Sequence, residues 1–148
     1  MDARSAGYAA LLLRVALGVM FLAHSLYLKL VVFTLPGTVK FFESLGLPAF
    51  SAHATIAAEA LGGVLLILGF GTRATALALV PVLLGATWVH WKNGWLFTNA
   101  GGGWEYPLFL AVAAVAVALT GPGAYALSSV RYSSVSKEGS EWKQVAAG

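Results

Sequence analysis

The run Tyr8-Ala9-Ala10-Leu11-Leu12-Leu13-Arg14-Val15-Ala16-Leu17-Gly18-Val19-Met20-Phe21-Leu22-Ala23-His24-Ser25-Leu26-Tyr27-Leu28-Lys29-Leu30-Val31-Val32-Phe33 decides the class of this protein. It is longer than the about 20 apolar residues that cross a bilayer core, and its only charges are Arg14 and Lys29. Its place near the N-terminus invites comparison with a signal peptide. The apolar run is too long for that, Arg14 interrupts it, and no small-residue cleavage site follows. It reads as a retained transmembrane helix.

Three more apolar stretches follow, at residues 49–70, 74–91 and from 104 to about 119. Between the first and second lies a segment bounded by Leu35-Pro36-Gly37 and Leu45-Gly46-Leu47-Pro48, with Val39, Phe42 and Leu45 at three-residue spacing. It predicts a helix of about two turns, too short to span and placed in the interface. Hydrophobic residues make up 59% of the chain and charged residues 10%, against about 25% charged in soluble domains. The expectation is an all-α membrane protein: a four-transmembrane-helix bundle with a short interfacial helix between helices 1 and 2. Residues 1–127 form the membrane domain and 128–148 a polar, Ser-rich tail without periodicity, expected to be mobile and cytoplasmic. Pro81 is a kink candidate in the third span, and the Gly-rich and Trp-rich 92–103 segment reads as a flexible connection.

The absence of cysteine excludes disulfides, thiolate metal sites and a thiol nucleophile, so a redox role would need a bound cofactor or a partner to carry electrons. The net charge of +3 comes from singly scattered residues, which serve as topology signals rather than a nucleic-acid patch. Arg4, Arg73, Arg131, Lys137 and Lys143 fall on one side and Lys40 and Lys92 on the other. This bias places both termini of a multi-pass membrane protein in the cytoplasm, with a periplasmic opposite face. Trp88, Trp91, Trp95 and Trp104 then gather at the opposite interface.

Charges at bilayer depth are costly and usually face a protein interior or a site, so Arg14, His24, His53, Glu59 and His90 are the residues to question. At 1.5 Å per residue, His24, His53, His90 and Glu105 come within a turn or two of the outer boundary, one from each helix, with Lys29 near the same level. Such a rim could relay protons, receive a head group or, as a weak option for His24, His53 and His90, ligate a metal. The alternative is that each group merely reaches out to water. Glu59 lies too deep for that and either carries a proton or is paired. Arg14, about 8 Å nearer the cytoplasm, is the preferred structural partner. A role for Glu59 as proton carrier or ligand partner weighs equally. Ala58, Gly62 and Gly63 beside it invite close approach of another helix.

Taken together, Leu12-Leu13-Arg14, His24, Lys29, Leu45-Gly46-Leu47-Pro48, Ala58-Glu59-Ala60-Leu61-Gly62-Gly63, Leu68-Gly69-Phe70-Gly71-Thr72-Arg73, Gly103-Trp104-Glu105-Tyr106-Pro107-Leu108 and Gly121-Pro122-Gly123 resemble the DoxX family of small four-helix bacterial membrane proteins. The resemblance covers residues 8–127. It departs at Ser25, where many members have Gly, and at Tyr27 and Leu28, where many are more polar. The family takes its name from a subunit of an archaeal thiosulfate:quinone oxidoreductase, and other members are associated with membrane redox complexes or oxidative-stress functions. Carried over residue by residue, the resemblance points to Arg14, His24, Lys29, Glu59, Arg73, His90, Glu105 and Tyr106.

It implies a subunit or accessory protein of a quinone-linked oxidoreductase, not a stand-alone enzyme, binding a quinone head group or docking a redox partner. Glu59, His24 and His90 would handle protons, and Arg14, Lys29, Trp88, Glu105 and Tyr106 would contact the ligand. Quinone is the non-covalent cofactor this reading admits. The partners are the lipid bilayer, redox-enzyme subunits and a second copy of the chain, with no nucleic acid. Two alternatives stand beside it: a structural or assembly protein without a ligand, and a small transporter, against which the lack of a visible two-fold repeat counts.

Overall fold

The computed structural model describes residues 2–128; the tail expected from 129 onward lies outside them. In chain order the elements are α1 (Ala3–Leu22), a π-helix (Ala23–Val32) continuing it, α2 (Leu35–Ser44), α3 (Ala49–Leu68), α4 (Thr72–His90) with a 3-10 turn (Trp91–Asn93), and α5 (Glu105–Thr120). The described residues are all helix and connection, without a strand. Three helical stretches are long and apolar enough to cross a membrane, Arg4–Val32, Ala49–Leu68 and Thr72–Asn93, and α5 is a shorter apolar helix. This is a multi-pass membrane protein.

The first apolar run does not keep α geometry to its end. From Ala23 the backbone widens, and the N–H of Phe33 still reaches five residues back to the carbonyl of Leu28 at 2.8 Å. π-helices are rare, usually single turns, and recur at functional sites. This one is ten residues long and carries His24, Ser25 and Lys29. Thr34 ends it at φ 62°, and its hydroxyl accepts from the N–H of Gly37 to open α2, with Pro36 in the first turn where its missing N–H does no harm. The predicted short helix is therefore present, with 10 residues and nearly three turns rather than two. Thr38, buried on α2, donates to the carbonyl of Lys29 at 2.8 Å and ties α2 to the π-helix.

The helices pack through small residues. Gly18 of α1 and Gly63 of α3 meet backbone to backbone: a Cβ on Gly18 would lie 2.8 Å from the carbonyl oxygen of Gly63, and one on Gly63 would lie 2.9 Å from that of Gly18. Close approach through small residues is how membrane helices gain dispersion contact without a hydrophobic drive between them. The core continues from Leu17, Phe21 and Leu66 to the stripe Ala76, Leu79 and Leu83 on α4, against Ala111, Ala114 and Ala118 on α5. Spacings of three and four put each stripe on one face. Pro81 lies within α4 on its exposed side.

At the end of α3, Gly69 in the left-handed conformation stops the helix and turns the chain into α4. The segment after α5 folds back over this end. Its Ala124 N–H donates to Gly7 O at 2.9 Å and the Ser128 hydroxyl to Gly69 O at 2.8 Å.

Candidate functional site

Among the described residues one ion pair forms, between Lys29 of the π-helix and Glu59 of α3. The Glu59 side chain is 8% exposed and that of Lys29 is 19% exposed. Glu59 sits midway along α3, one turn from Gly63, whose tight contact with Gly18 holds α1 against α3. The expectation that Glu59 faces the interior with a polar partner holds. Its partner differs from the expected one.

Arg14 is fully buried and never reaches Glu59. Its guanidinium donates to four backbone carbonyls: Nη1 to Leu66 O at 2.7 Å and Ile67 O at 2.5 Å, Nε to Pro122 O at 2.7 Å, and Nη2 to Ala124 O at 3.1 Å. The last carbonyls of α3 have no partners within the helix and carry the negative end of its dipole, which is where a cation is favoured. Arg14 is thus a clamp joining α1, the C-terminus of α3 and the segment after α5. The expected Arg14 to Glu59 pair is corrected by this geometry: Arg14 lies level with Leu66 and Ile67, about two turns along α3 from Glu59.

Ser25, one α-turn before Lys29 in sequence, is fully buried on the same winding, and its hydroxyl donates to Leu22 O at 3.3 Å. His24 borders it. Nδ1 of His24 lies 2.8 Å from Met20 O, and because a carbonyl only accepts, Nδ1 carries the proton. In the neutral ring, Nε2 is then a free acceptor. The imidazole stacks on Tyr106 of α5 with centroids 5.9 Å apart, and the Tyr106 hydroxyl reaches Met20 Sδ at 3.5 Å. The π-helix therefore places an ammonium donor paired with a carboxylate, and one turn away an imidazole acceptor backed by an aromatic ring. This set can donate to carbonyl oxygens, accept from hydroxyls and exchange protons.

The remaining sequence-derived residues take other work. Nδ1 of His90 donates to Gly101 O at 3.0 Å and Gly102 O at 3.2 Å, and the Asn93 amide donates to the same two carbonyls. Glu105 accepts from the Phe97 N–H at 2.8 Å. Trp104 stacks on Trp91 with centroids 4.7 Å apart and meets Trp95 edge-on at 4.5 Å. These contacts pin the 94–104 connection, which was expected to be flexible. Trp88 is 62% exposed and turned outward from the pair. His53 is exposed and donates to Ala49 O at 3.1 Å within its own helix. Among the described residues no three His, Cys, Asp or Glu side chains gather as metal ligands.

The family model for DoxX matches residues 9–91. The chain belongs to the DoxX family. A Bacillus subtilis (strain 168) protein named "Putative oxidoreductase CatD" is 35% identical over 111 residues, covering 75% of this chain and 78% of that one. No solved structure matches. The matched region contains Arg14, His24, Lys29, Glu59, Arg73 and His90 and leaves Glu105 and Tyr106 beyond it.

Proposed function

We propose that this DoxX protein is a membrane component of a quinone-linked oxidoreductase system, and that Lys29, Glu59, His24 and Tyr106 receive a quinone head group. The observation that carries this reading is the Lys29 and Glu59 pair, held in the interior of a membrane-spanning helix bundle on a π-helix. The oxidoreductase named among the relatives supports the redox setting. A head group needs donors for its carbonyl oxygens and acceptors for the hydroxyls of its reduced form. Lys29 supplies the donor, Glu59 and Nε2 of His24 the acceptors, and Tyr106 an aromatic flank. The bound quinone supplies the electron-accepting chemistry; the chain itself orients the ring and moves protons to and from its oxygens. The exposed fifth of Lys29 gives a lipid-dissolved ligand a lateral approach.

In this reading α5 crosses the bilayer as a fourth span, both termini are cytoplasmic, the membrane is the inner one, and a redox subunit delivers electrons from outside the chain.

Titration of purified full-length protein with a short-chain quinone, followed by tryptophan fluorescence, should show saturable quenching, with affinity about tenfold weaker in Lys29→Met, as expected for loss of a charged hydrogen bond. Mass spectrometry of lipid extracted with the protein should find quinone. Absence of saturable binding, or equal affinity in Lys29→Met and His24→Phe, would refute the reading.

A further inference from the structure

A buried threonine on α2 bears directly on the Lys29 and Glu59 pair. At the end of the first helical run the N–H of Phe33 closes the last rung of the π-helix, on Leu28 O at 2.8 Å, and Thr34 then leaves the winding at φ 62°. The next carbonyl along, that of Lys29, is the first of those that a helix end leaves without a backbone donor of its own. Unless water reaches it, such a carbonyl needs a donor from elsewhere.

Thr38 supplies that donor. Its hydroxyl lies 2.8 Å from Lys29 O, and the residue is 4% exposed. Hydroxyl side chains inside helices commonly turn back to a carbonyl one turn earlier, and Thr87, Thr120 and Ser44 do so here, three or four residues back in their own helices. Thr38 has the same option in Thr34 O, which its own N–H already uses at 2.9 Å. Its hydroxyl instead reaches nine residues back, across the connection and into the π-helix. Lys29 is thereby held at two points, its main chain by Thr38 and its ammonium by Glu59. Between them runs a flexible four-carbon stem, so the height of the main chain decides whether the ammonium falls within reach of the carboxylate.

We propose that Thr38 is a positioning residue for the Lys29 and Glu59 pair: its hydroxyl fixes the Lys29 main chain where the π-helix runs out of rungs, and α2 is thereby part of the site. It acts on the ammonium through the Lys29 carbonyl. The effect on ligand affinity rests on the quinone reading; the effect on the ion pair does not.

Amine reactivity reads the pair without any quinone. Full-length protein in mild detergent is treated with N-hydroxysuccinimidyl acetate, and peptide mass spectrometry follows acetylation of Lys29, with the exposed Lys40 and Lys92 as internal references. Glu59→Gln sets the rate of an unpaired Lys29. Thr38→Val keeps the side-chain shape and removes the donor, and should raise the Lys29 rate about threefold to tenfold toward that limit, the shift expected from one neutral hydrogen bond. Thr38→Ala, a second variant without the donor, should do the same, and Thr38→Ser, which keeps the hydroxyl, should stay near the wild-type rate. Thr87→Val removes another buried hydroxyl, one that bonds within α4, and should leave Lys29 unchanged. Wild-type rates in Thr38→Val and Thr38→Ala, a Thr38→Ser rate as high as theirs, or an equal rise in Thr87→Val would overturn the assignment. Quinone affinity should fall by the same factor in Thr38→Val and recover in Thr38→Ser. If the labelling pattern holds and quinone does not bind, the positioning role stands and the quinone reading fails; if quinone binds and Thr38→Val labels like wild type, the positioning role fails alone.

Discussion

Two cations of the first helical run, the buried Arg14 and the partly exposed Lys29, solve the same problem in different ways. Arg14 has no carboxylate to meet and instead spreads its planar fork over four carbonyls contributed by two segments. Arg14→Lys retains the charge but has a point-like head with three donors, so it loses part of this clamp; Arg14→Leu leaves all four carbonyls without it, at about 1–3 kcal/mol for each that stays buried and unsatisfied. The expected order in detergent thermal melts is wild type, then Lys, then Leu, with Leu yielding little folded protein by size-exclusion chromatography. Lys29 meets Glu59 directly. Removing one partner of a fully buried pair costs about 3–5 kcal/mol, whereas replacing both with apolar groups is often neutral. Lys29 is partly exposed and can find water, so Glu59→Leu alone should cost less, about 1–3 kcal/mol. Lys29→Met combined with Glu59→Leu should recover most of that stability while abolishing quinone binding. A double variant as unstable as Glu59→Leu would show that the carboxylate site, rather than the unpaired ammonium, sets the loss.

At the scale of the element, the contact between α1 and α3 depends on the absence of two side chains. A Cβ at position 63 would meet the Gly18 carbonyl oxygen at 2.9 Å and Leu22 at 3.0 Å, and the first of these is backbone that cannot swing aside. Gly63→Val should therefore push the helices apart, cost about 1–3 kcal/mol as overpacking does, and disturb the neighbouring Glu59. Thermal melts report the first effect and quinone affinity the second. Gly85, where an added Cβ meets nothing within 4 Å, is the matched control: Gly85→Ala should be neutral or slightly stabilising. The π-helix is a second element-scale device. Its i→i+5 winding has poorer local geometry than α1, and hydrogen exchange should reach the amides of residues 26–32 before those of residues 10–20.

At the scale of the molecule, the chain lacks cysteine, so single cysteines report sidedness without background. If α3, α4 and α5 all cross, Asn99→Cys and Gly46→Cys label with a membrane-impermeant maleimide from one side, and Phe70→Cys and Tyr125→Cys from the other. Tyr125 is 78% exposed and follows α5, so its sidedness decides whether that 16-residue helix spans. At about 1.5 Å per residue it covers about 24 Å, short of a hydrocarbon core near 30 Å, which would require local thinning of the bilayer. Labelling of Tyr125→Cys together with Asn99→Cys would rule out the fourth span.

Class, three of the spans and the close-packing glycines were legible in the chain because they depend on quantities that run along it. Apolar length sets what can cross a bilayer, and Gly62 and Gly63 beside Glu59 announced a close helix contact. The interior direction of Glu59 was equally legible, since a carboxylate at that depth has nowhere else to go. Partners were not. Arg14, His24 and Lys29 share the first helical run, and which of them meets Glu59 depends on how far that run slides past α3, where the two turns between Glu59 and the Arg14 contacts amount to about 11 Å. Only the tertiary structure set that offset. It put Arg14 against the carbonyl end of α3, wound residues 23–32 as a π-helix so that Lys29 reached Glu59, and spent His90 and Glu105 on holding the connection between α4 and α5. Hydrophobic periodicity fixes which face of a helix is buried; hydrogen-bond geometry between helices decides which charges on those faces come together.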